Sequence, residues 1–220
     1  MQVDRVTQSA ANDLFSHLVV DSQLGSILLR PPRNGWSPKC DNLDGGTPVL
    51  TLTAVTGWHY DWTAIKLTSL PTVEGAHYWL DKGDLLITRS NTPDLLGYVA
   101  IYDGHPHPCI YPDLMMKLSV NQAKASSRFV WWWMQSERVR SYIARNAKGT
   151  SPTMKKISQP IIVTVPFPSD VPLSQQREMT NTLDALSGKV ATIKSLQDAT
   201  ALQLEGMLPA ILDKAFRGEL

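Results

Sequence analysis

The length, composition and charge of this chain exclude several classes of protein. Its 220 residues can form one globular domain with its own core, and 43% hydrophobic residues argue against a disordered chain. Two cysteines, Cys40 and Cys109, are too few for a disulfide framework. The sequence opens without an apolar signal segment, and its apolar runs are far shorter than the roughly 20 residues of a membrane-spanning helix. We therefore expect a cytoplasmic protein that does not enter a membrane.

The net charge of +1 conceals a concentration of basic residues in one stretch. Residues 121–160 contain eight Lys or Arg but a single acidic residue, Glu137, whereas the rest of the chain is net acidic. Clustered cations are typical of phosphate-binding surfaces. A solvated helix face is the alternative interpretation.

Short β-rich runs separated by turns dominate the first half of the chain. Residues 1–30 are predicted to form a leader with a short helix that Asn12 or Asp13 caps. From Trp36 to Leu118, glycine-rich punctuation predicts a compact β-rich domain. Its predicted strands are residues 49–55, 84–89, 97–102 and 114–120.

The hydrophobic period changes after residue 125. Residues 126–147 predict a helix that begins near Ser126 or Ser127 and stops at Gly149. Three successive tryptophans in this helix, residues 131–133, could stack on bases, but core packing is the stronger interpretation. Residues 161–165 then predict a last strand, and residues 166–168 a stiff link to the tail.

The C-terminal tail has the heptad pattern of a coiled coil. We expect Ser174 to cap its helix and Pro209 to end or kink it. Eight of ten seam positions are apolar over more than four heptads, so burial of the seam would need a second helix from another chain or domain. Gln197 and Thr200 are polar seam residues that either fix the register or mark a stutter in which Leu196 replaces them. The apolar seam residues are Met179, Leu183, Leu186, Val190, Ile193, Leu204, Met207 and Ile211.

Four segments, in this order, resemble the specificity subunit of type I restriction–modification systems. Residues 33–39 (RNGWSPK) resemble the entry of a target recognition domain. Residues 83–91 (GDLLITRSN) with 97–100 (GYVA) resemble its central signature, and residues 147–158 (AKGTSPTMKKIS) its closing motif. Residues 172–179 (PLSQQREM), the heptads and the ending KAFRGEL resemble the family's spacer helix.

The chain departs from the family pattern in two respects. Gln175 stands where the family usually has Glu. The family's full-length subunit carries two recognition domains and two helices, whereas this chain has one of each. The chain is therefore either a half-size subunit that pairs with itself or another half, or a fragment of a full subunit.

The resemblance implies an α+β fold, with a β-rich target recognition domain (residues 31–170) followed by a long coiled-coil helix (residues 171–220). It implies that the domain reads one half of a split DNA site. A helix over residues 175–205, roughly 45 Å long, would set the distance to a second reading domain. Two antiparallel copies would read an inverted repeat.

The resemblance also implies the partners of the chain. They are double-stranded DNA, DNA methyltransferase (modification) subunits, a restriction/translocase subunit where the system has one, and a second copy bound through the C-terminal helix. We expect no cofactor, no metal and no catalytic residues in this chain.

Three groups of residues are candidates for DNA contact. Hydroxyl and ammonium groups suit phosphates, and Arg and Asn fit guanine and adenine edges. The phosphate candidates are Thr150, Ser151, Lys155 and Lys156. The second group is Arg89, Ser90 and Asn91, whose alternative role is to hold the fold. The third is Arg33, Asn34 and Lys39, in a loop that meets DNA or the methyltransferase.

Other functions are less well supported by the sequence. It contains no P-loop and no dinucleotide-binding glycine motif. His105, His107 and Cys109 could bind zinc with Cys40, although such His-Pro-His segments are usually plain turns. The alternative to a DNA-recognition subunit is a non-catalytic coiled-coil scaffold whose globular domain binds protein. A steep salt dependence of DNA binding would distinguish the two.

Overall fold

The computed structural model describes residues 5–149 and 153–218, and the side chains within these ranges except those of residues 208–215. The helices are α1 (Arg5–Ser16), α2 (Ser127–Gln135), α3 (Glu137–Asn146), α4 (Gln159–Val163) and α5 (Leu173–Phe216). The strands are β1 (Ser22–Gln23), β2 (Arg33–Asn34), β3 (Thr47–Leu50), β4 (Ile65–Thr68), β5 (Leu85–Thr88), β6 (Ser90–Asn91), β7 (Val99–Ile101), β8 (Met115–Leu118), β9 (Lys155–Lys156) and β10 (Pro166–Phe167). We call the described residues before α5 the globular region.

An antiparallel four-stranded sheet in the order β2-β8-β5-β7 lies at the centre of the globular region. Successive side chains of a strand point to opposite faces. Accordingly, Leu85 and Ile87 of β5 enter one hydrophobic cluster, and Leu86 enters a second. Every residue of β5 and β8 is buried because both faces of the sheet are covered.

The first cluster packs the sheet against α1, α2 and the start of α5. The three tryptophans of α2 are 6%, 1% and 1% exposed, so core packing is correct for all of them and none is available for base stacking. Phe15 of α1 lies edge-on to both Phe129 and Trp133, with ring centroids 5.7 and 5.4 Å apart. The N-terminal helix is therefore part of the main core.

Several predicted boundaries are wrong, each for a local reason. Asn12 does not begin a helix, because α1 already spans it; its Oδ1 instead accepts a hydrogen bond from the Glu137 amide at 2.9 Å. The predicted helix over 126–147 is two helices, because Ser136 adopts an extended conformation and caps α3. The second helix ends at Asn146, before Gly149. The first predicted strand leaves the sheet after Leu50, where residues 52–54 form a 3-10 helix.

The segment after β9 also differs from the prediction. Residues 159–163 form α4 instead of a strand, with Pro160 in its first turn, where a proline's missing amide costs nothing. An apolar run this short does not distinguish the two structures. Residues 166–167 are a strand that pairs with β1, and not a free link.

The long helix α5 contains 44 residues, a length of about 66 Å. It begins at Leu173, so Ser174 lies inside its first turn and is not the cap. It continues through Pro209 to Phe216, so the proline does not end it. The described part of the chain contains no helix that is long and apolar enough to cross a membrane.

Gln176 joins α5 to the globular region through backbone hydrogen bonds. Its side chain is 0% exposed. The carboxamide accepts from the Ser126 amide at 2.9 Å and donates to the carbonyls of Lys124 and Val171 at 3.1 and 2.8 Å. One side chain thus satisfies three backbone groups at the start of α2 and at the entry to α5.

A second contact lies two turns further along α5. Arg128 donates from Nε to both carboxylate oxygens of Asp184 at 3.0 Å, and the Trp132 indole donates to the same carboxylate at 2.8 Å. The Arg128 guanidinium also lies 4.0 Å from the ring centroid of Trp131. A bidentate, partly buried pair of this kind is more directional than an ordinary surface ion pair.

The coiled-coil seam is divided between two environments. Met179 and Leu183 are buried in the first cluster, where α1 and α2 of the same chain pack against α5, so the globular region and not a second copy covers these two. Leu186 and Val190 are half-buried. Ile193, Leu204 and Met207 are 56%, 61% and 52% exposed, and Leu196 is 63% exposed. The side chain of Ile211 lies outside the described ones.

We expect Gln176→Ala to destabilise the globular region by about 3 kcal/mol, because three buried backbone groups lose their partner. Gln175→Ala is the matched control, since Gln175 is exposed in the same helical turn; we expect a change within about 0.5 kcal/mol. Denaturant unfolding of both variants measures the difference. Equal stabilities would contradict the role of Gln176.

Candidate nucleic-acid interface

Two of the three predicted groups meet in one small ladder. Strand β6 pairs antiparallel with β9, so that Ser90 lies opposite Lys156 and Asn91 opposite Lys155. The Ile157 amide donates to the Arg89 carbonyl at 2.9 Å and extends the pairing by one residue. The central signature and the closing motif, about 65 residues apart in the sequence, therefore meet as the two strands of one antiparallel pair.

A third segment completes the ladder on the other side of β9. Lys148 and Lys156 exchange both backbone hydrogen bonds, at 2.9 and 2.8 Å, as an antiparallel bridge. Gly149, which follows, has φ +139°, and a Cβ there would lie 2.8 Å from the Met154 carbonyl oxygen. Glycine is required here both by the backbone angle and by the lack of space.

The side chains of this ladder are placed differently. Lys156 is exposed, and Lys155 is half-buried with its Nζ donating to the Gly149 carbonyl at 2.8 Å. Ser90 is 3% exposed, and its Oγ has no hydrogen-bond partner among the described residues. Asn91 is half-buried, and its Oδ1 accepts from the Thr92 amide at 2.8 Å. Thr150 and Ser151 lie outside the described residues.

Arg89 connects the ladder to the central sheet. It follows β5 directly, and its amide donates to the Leu114 carbonyl at 2.9 Å. Its half-buried guanidinium donates from Nη1 to the Asp113 carbonyl at 3.3 Å. Asp113 in turn hydrogen-bonds Ser37, whose hydroxyl accepts from the Asp113 amide at 3.0 Å. Ser37, in the segment after β2, and the Arg89 guanidinium are thereby both hydrogen-bonded to Asp113.

The third predicted group is only partly near the other two. Arg33 and Asn34 form the edge strand β2, one strand away from β5, and Arg33 is exposed. The Asn34 Oδ1 is buried with no partner among the described residues. Lys39 is exposed beside β4, since its carbonyl accepts from the Thr68 hydroxyl at 2.8 Å.

Part of the basic stretch has a structural role. Arg128 donates hydrogen bonds to the Asp184 carboxylate, and Lys124 donates to the Ser26 carbonyl at 2.8 Å. Arg140 donates to the Leu96 carbonyl at 2.8 Å and lies over the rings of Trp58 and Tyr98; burial lowers its pKa. The count of cations in the sequence therefore overestimates the number available to a phosphate.

The zinc hypothesis receives no support from the geometry. Within residues 5–149 and 153–218, no three His, Cys, Asp or Glu side chains are arranged to hold a metal ion. Cys109 is fully buried, and burial raises the pKa of its thiol to about 12. Such a thiol stays protonated at neutral pH and is a poor metal ligand.

Sequence comparison finds curated relatives of a single kind. The chain is 26% identical over 222 residues to the type I restriction enzyme EcoKI specificity subunit of Escherichia coli K12, an alignment that covers 98% of this chain and 46% of the relative. It is 29% identical over 152 residues to the StySPI specificity subunit of Salmonella potsdam, covering 69% and 32%. The chain thus spans less than half the length of these relatives. No model of a known protein family matches it.

Solved structures show the same fold. One is a chain from a study of complex assembly and conformational transition of the type I R-M system, with a TM-score of 0.74 at 22% identity. The other is the HsdS subunit from Thermoanaerobacter tengcongensis, with a TM-score of 0.62 at 22% identity. Each match covers 98% of this chain and about half of the other, at 52% and 51%. The predicted α+β class, a β-rich region followed by a long helix, is confirmed.

Proposed function

We propose that this chain, a homologue of the type I restriction-enzyme specificity subunits, is a recognition subunit that reads one half of a bipartite DNA target. One observation carries the proposal: both the sequence and the fold match such subunits over 98% of this chain. The chain then supplies one recognition domain, residues 31–170, and one spacer, residues 171–220. We assign it a recognition role without catalysis, in keeping with relatives that are specificity subunits.

The proposed DNA-contacting surface is built around the β6–β9 ladder. Arg89 and Asn91 are the candidates for base edges, because a guanidinium and a carboxamide can each make paired hydrogen bonds to a purine. Lys155 and Lys156 are the candidates for phosphates. Additional proposed contacts are Arg33, Asn34 and Lys39 and, outside the described residues, Thr150 and Ser151. The burial of Ser90 argues against direct contact by its hydroxyl.

A second copy would supply the other half-site. From residue 192 to 207 every residue of α5 is exposed, and Ile193, Leu196, Leu204 and Met207 form an apolar stripe there. Such a stripe is expected to pair with a second helix. Residues 192–216 span about 37 Å, close to one turn of B-DNA. If the copies pair antiparallel, the two-fold symmetry makes the target an inverted repeat.

The remaining proposed partners are the enzymes that such a subunit directs. A DNA methyltransferase would be brought to the target by the recognition domain and spacer, and a restriction subunit would join where the system includes one. The scaffold alternative keeps the coiled coil but replaces DNA by a protein ligand.

We expect a selection from random DNA duplexes, using this chain together with its methyltransferase subunits, to enrich an interrupted inverted repeat. The two halves should have the same sequence because the same domain reads both. Affinity should fall steeply with salt, since phosphate contacts release counterions. Binding that is weak, unselective and indifferent to salt would contradict DNA recognition and favour the scaffold.

We expect Leu204→Asp to convert the dimer into a monomer, because a carboxylate would be buried in the apolar stripe. The matched control is Ser195→Asp, which places the same charge on an exposed residue on the opposite side of α5 from the stripe. Light scattering on a sizing column should give about twice 24.4 kDa for the wild type and the control. A monomeric wild type, or a dimeric Leu204→Asp, would rule out pairing through this stripe.

A further inference from the structure

The cross-strand lysine pair of the ladder has an unusual electrostatic environment. Lys148 and Lys156 lie directly opposite each other in the antiparallel bridge. Directly opposed residues of an antiparallel pair place their side chains on the same face, with Cβ atoms about 5 Å apart. Like charges in that position repel one another and reduce stability. A sequence selected only for the fold would not be expected to place two cations here.

The described structure provides no compensating negative charge. The two ion pairs in the described part of the chain are Lys117–Asp84 and Arg128–Asp184, and neither involves this ladder. Both lysines are exposed, and neither ammonium group donates to a described residue. The pair is therefore accessible from solvent and lacks an acceptor within the described residues.

Lys155 differs from its neighbour despite the identical residue type. Adjacent residues of a strand point to opposite faces, so Lys155 does not share the face of Lys148 and Lys156. It is half-buried, and its ammonium group already donates to the carbonyl of Gly149, the residue that follows Lys148. This contact holds Gly149, and with it the end of the Lys148 bridge, against β9.

We propose that Lys148 and Lys156 form a clamp for a backbone phosphate of DNA, and that Lys155, in place of the phosphate contact considered above, holds Gly149 beside the clamp. The inference rests on the proposed function. It assigns different roles to Lys155 and Lys156, which the sequence alone did not distinguish. A phosphate on this face supplies the missing negative charge and relieves the repulsion between the two ammonium groups. Contacts of this type fix the register of a protein on the duplex without reading its sequence.

The rigid backbone of the ladder supports this assignment. The bridge is closed by two backbone hydrogen bonds, and β6 pairs with the other edge of β9. Arg89 and Asn91, the candidates for base contact, lie opposite Ile157 and Lys155, so their side chains share the face of Lys155 and not the face of the clamp. The clamp and the candidates for base contact therefore lie on different faces of the ladder.

The test measures the dependence of DNA affinity on salt, with the full chain and a duplex of mixed sequence as the probe. Lys148→Ala and Lys156→Ala should each reduce the slope of log K against log salt by about 1, equally for specific and non-specific duplexes. Lys82→Ala is the matched control, because Lys82 is exposed at the opposite end of β5; its slope should equal that of the wild type. Lys155→Ala should also keep the wild-type slope.

Thermal unfolding distinguishes a binding role from a structural one. Lys148→Ala and Lys156→Ala should unfold at the same temperature as the wild type or higher, because each removes a repulsion. Lys155→Ala should unfold at a lower temperature than the wild type. In the DNA-binding measurement, Lys148→Arg should have the salt slope of the wild type because it keeps the positive charge.

Each outcome bears on the clamp. If the DNA affinity of the wild type falls steeply with salt but Lys148→Ala and Lys156→Ala have the same slope, the clamp is wrong and the proposed function stands. If Lys155→Ala alone reduces the slope, the assignment of the two faces is wrong. If the wild type shows no salt-dependent DNA binding, the clamp fails together with the proposed function.

Discussion

The direction of the long helix depends on how its first turns are held by the globular region. Gln176 replaces water at three backbone groups, and Asp184 receives the Arg128 guanidinium and the Trp132 indole. Between these contacts, Leu183 is buried in the core. A helix docked only by apolar contacts could rotate or slide, whereas these directional hydrogen bonds allow one orientation. The distance that the exposed part of α5 spans is then a property of the fold.

Much of this fold could be predicted from local sequence patterns. The strands β5, β7 and β8 lie within predicted runs, because glycine and polar turns bound short apolar segments there. The long helix followed from its heptads. The tryptophans of α2 were assigned to the core, because large aromatics on an amphipathic helix are usually buried. The division of the seam into a buried and an exposed part was not predicted. Met179 and Leu204 are both apolar seam residues, and only tertiary packing makes the first buried and the second exposed.

The parts that were wrong or missed depend on contacts distant in the sequence. Strand β4 was not predicted, and β6 and β9 form a ladder only because residues 90–91 and 155–156 meet. Asn12 is a residue type that often caps helices. Its side chain does accept a hydrogen bond from a helix N-terminus, but from the amide of Glu137, far along the chain. The sequence motifs were sufficient to group the candidate DNA-binding residues. They were not sufficient to predict which of these side chains are exposed to solvent. Ser90 and Lys156 are direct neighbours in the ladder, yet the first is buried and the second is exposed.

In the proposed function the chain supplies one DNA-reading surface and one spacer, and a second copy would complete the target. A hydroxyl-radical footprint of the complex on its selected DNA tests this claim most directly. We predict two protected segments of equal length, related by two-fold symmetry and separated by an unprotected gap. A single protected segment, or two segments of different length and sequence, would contradict the pairing of two identical copies.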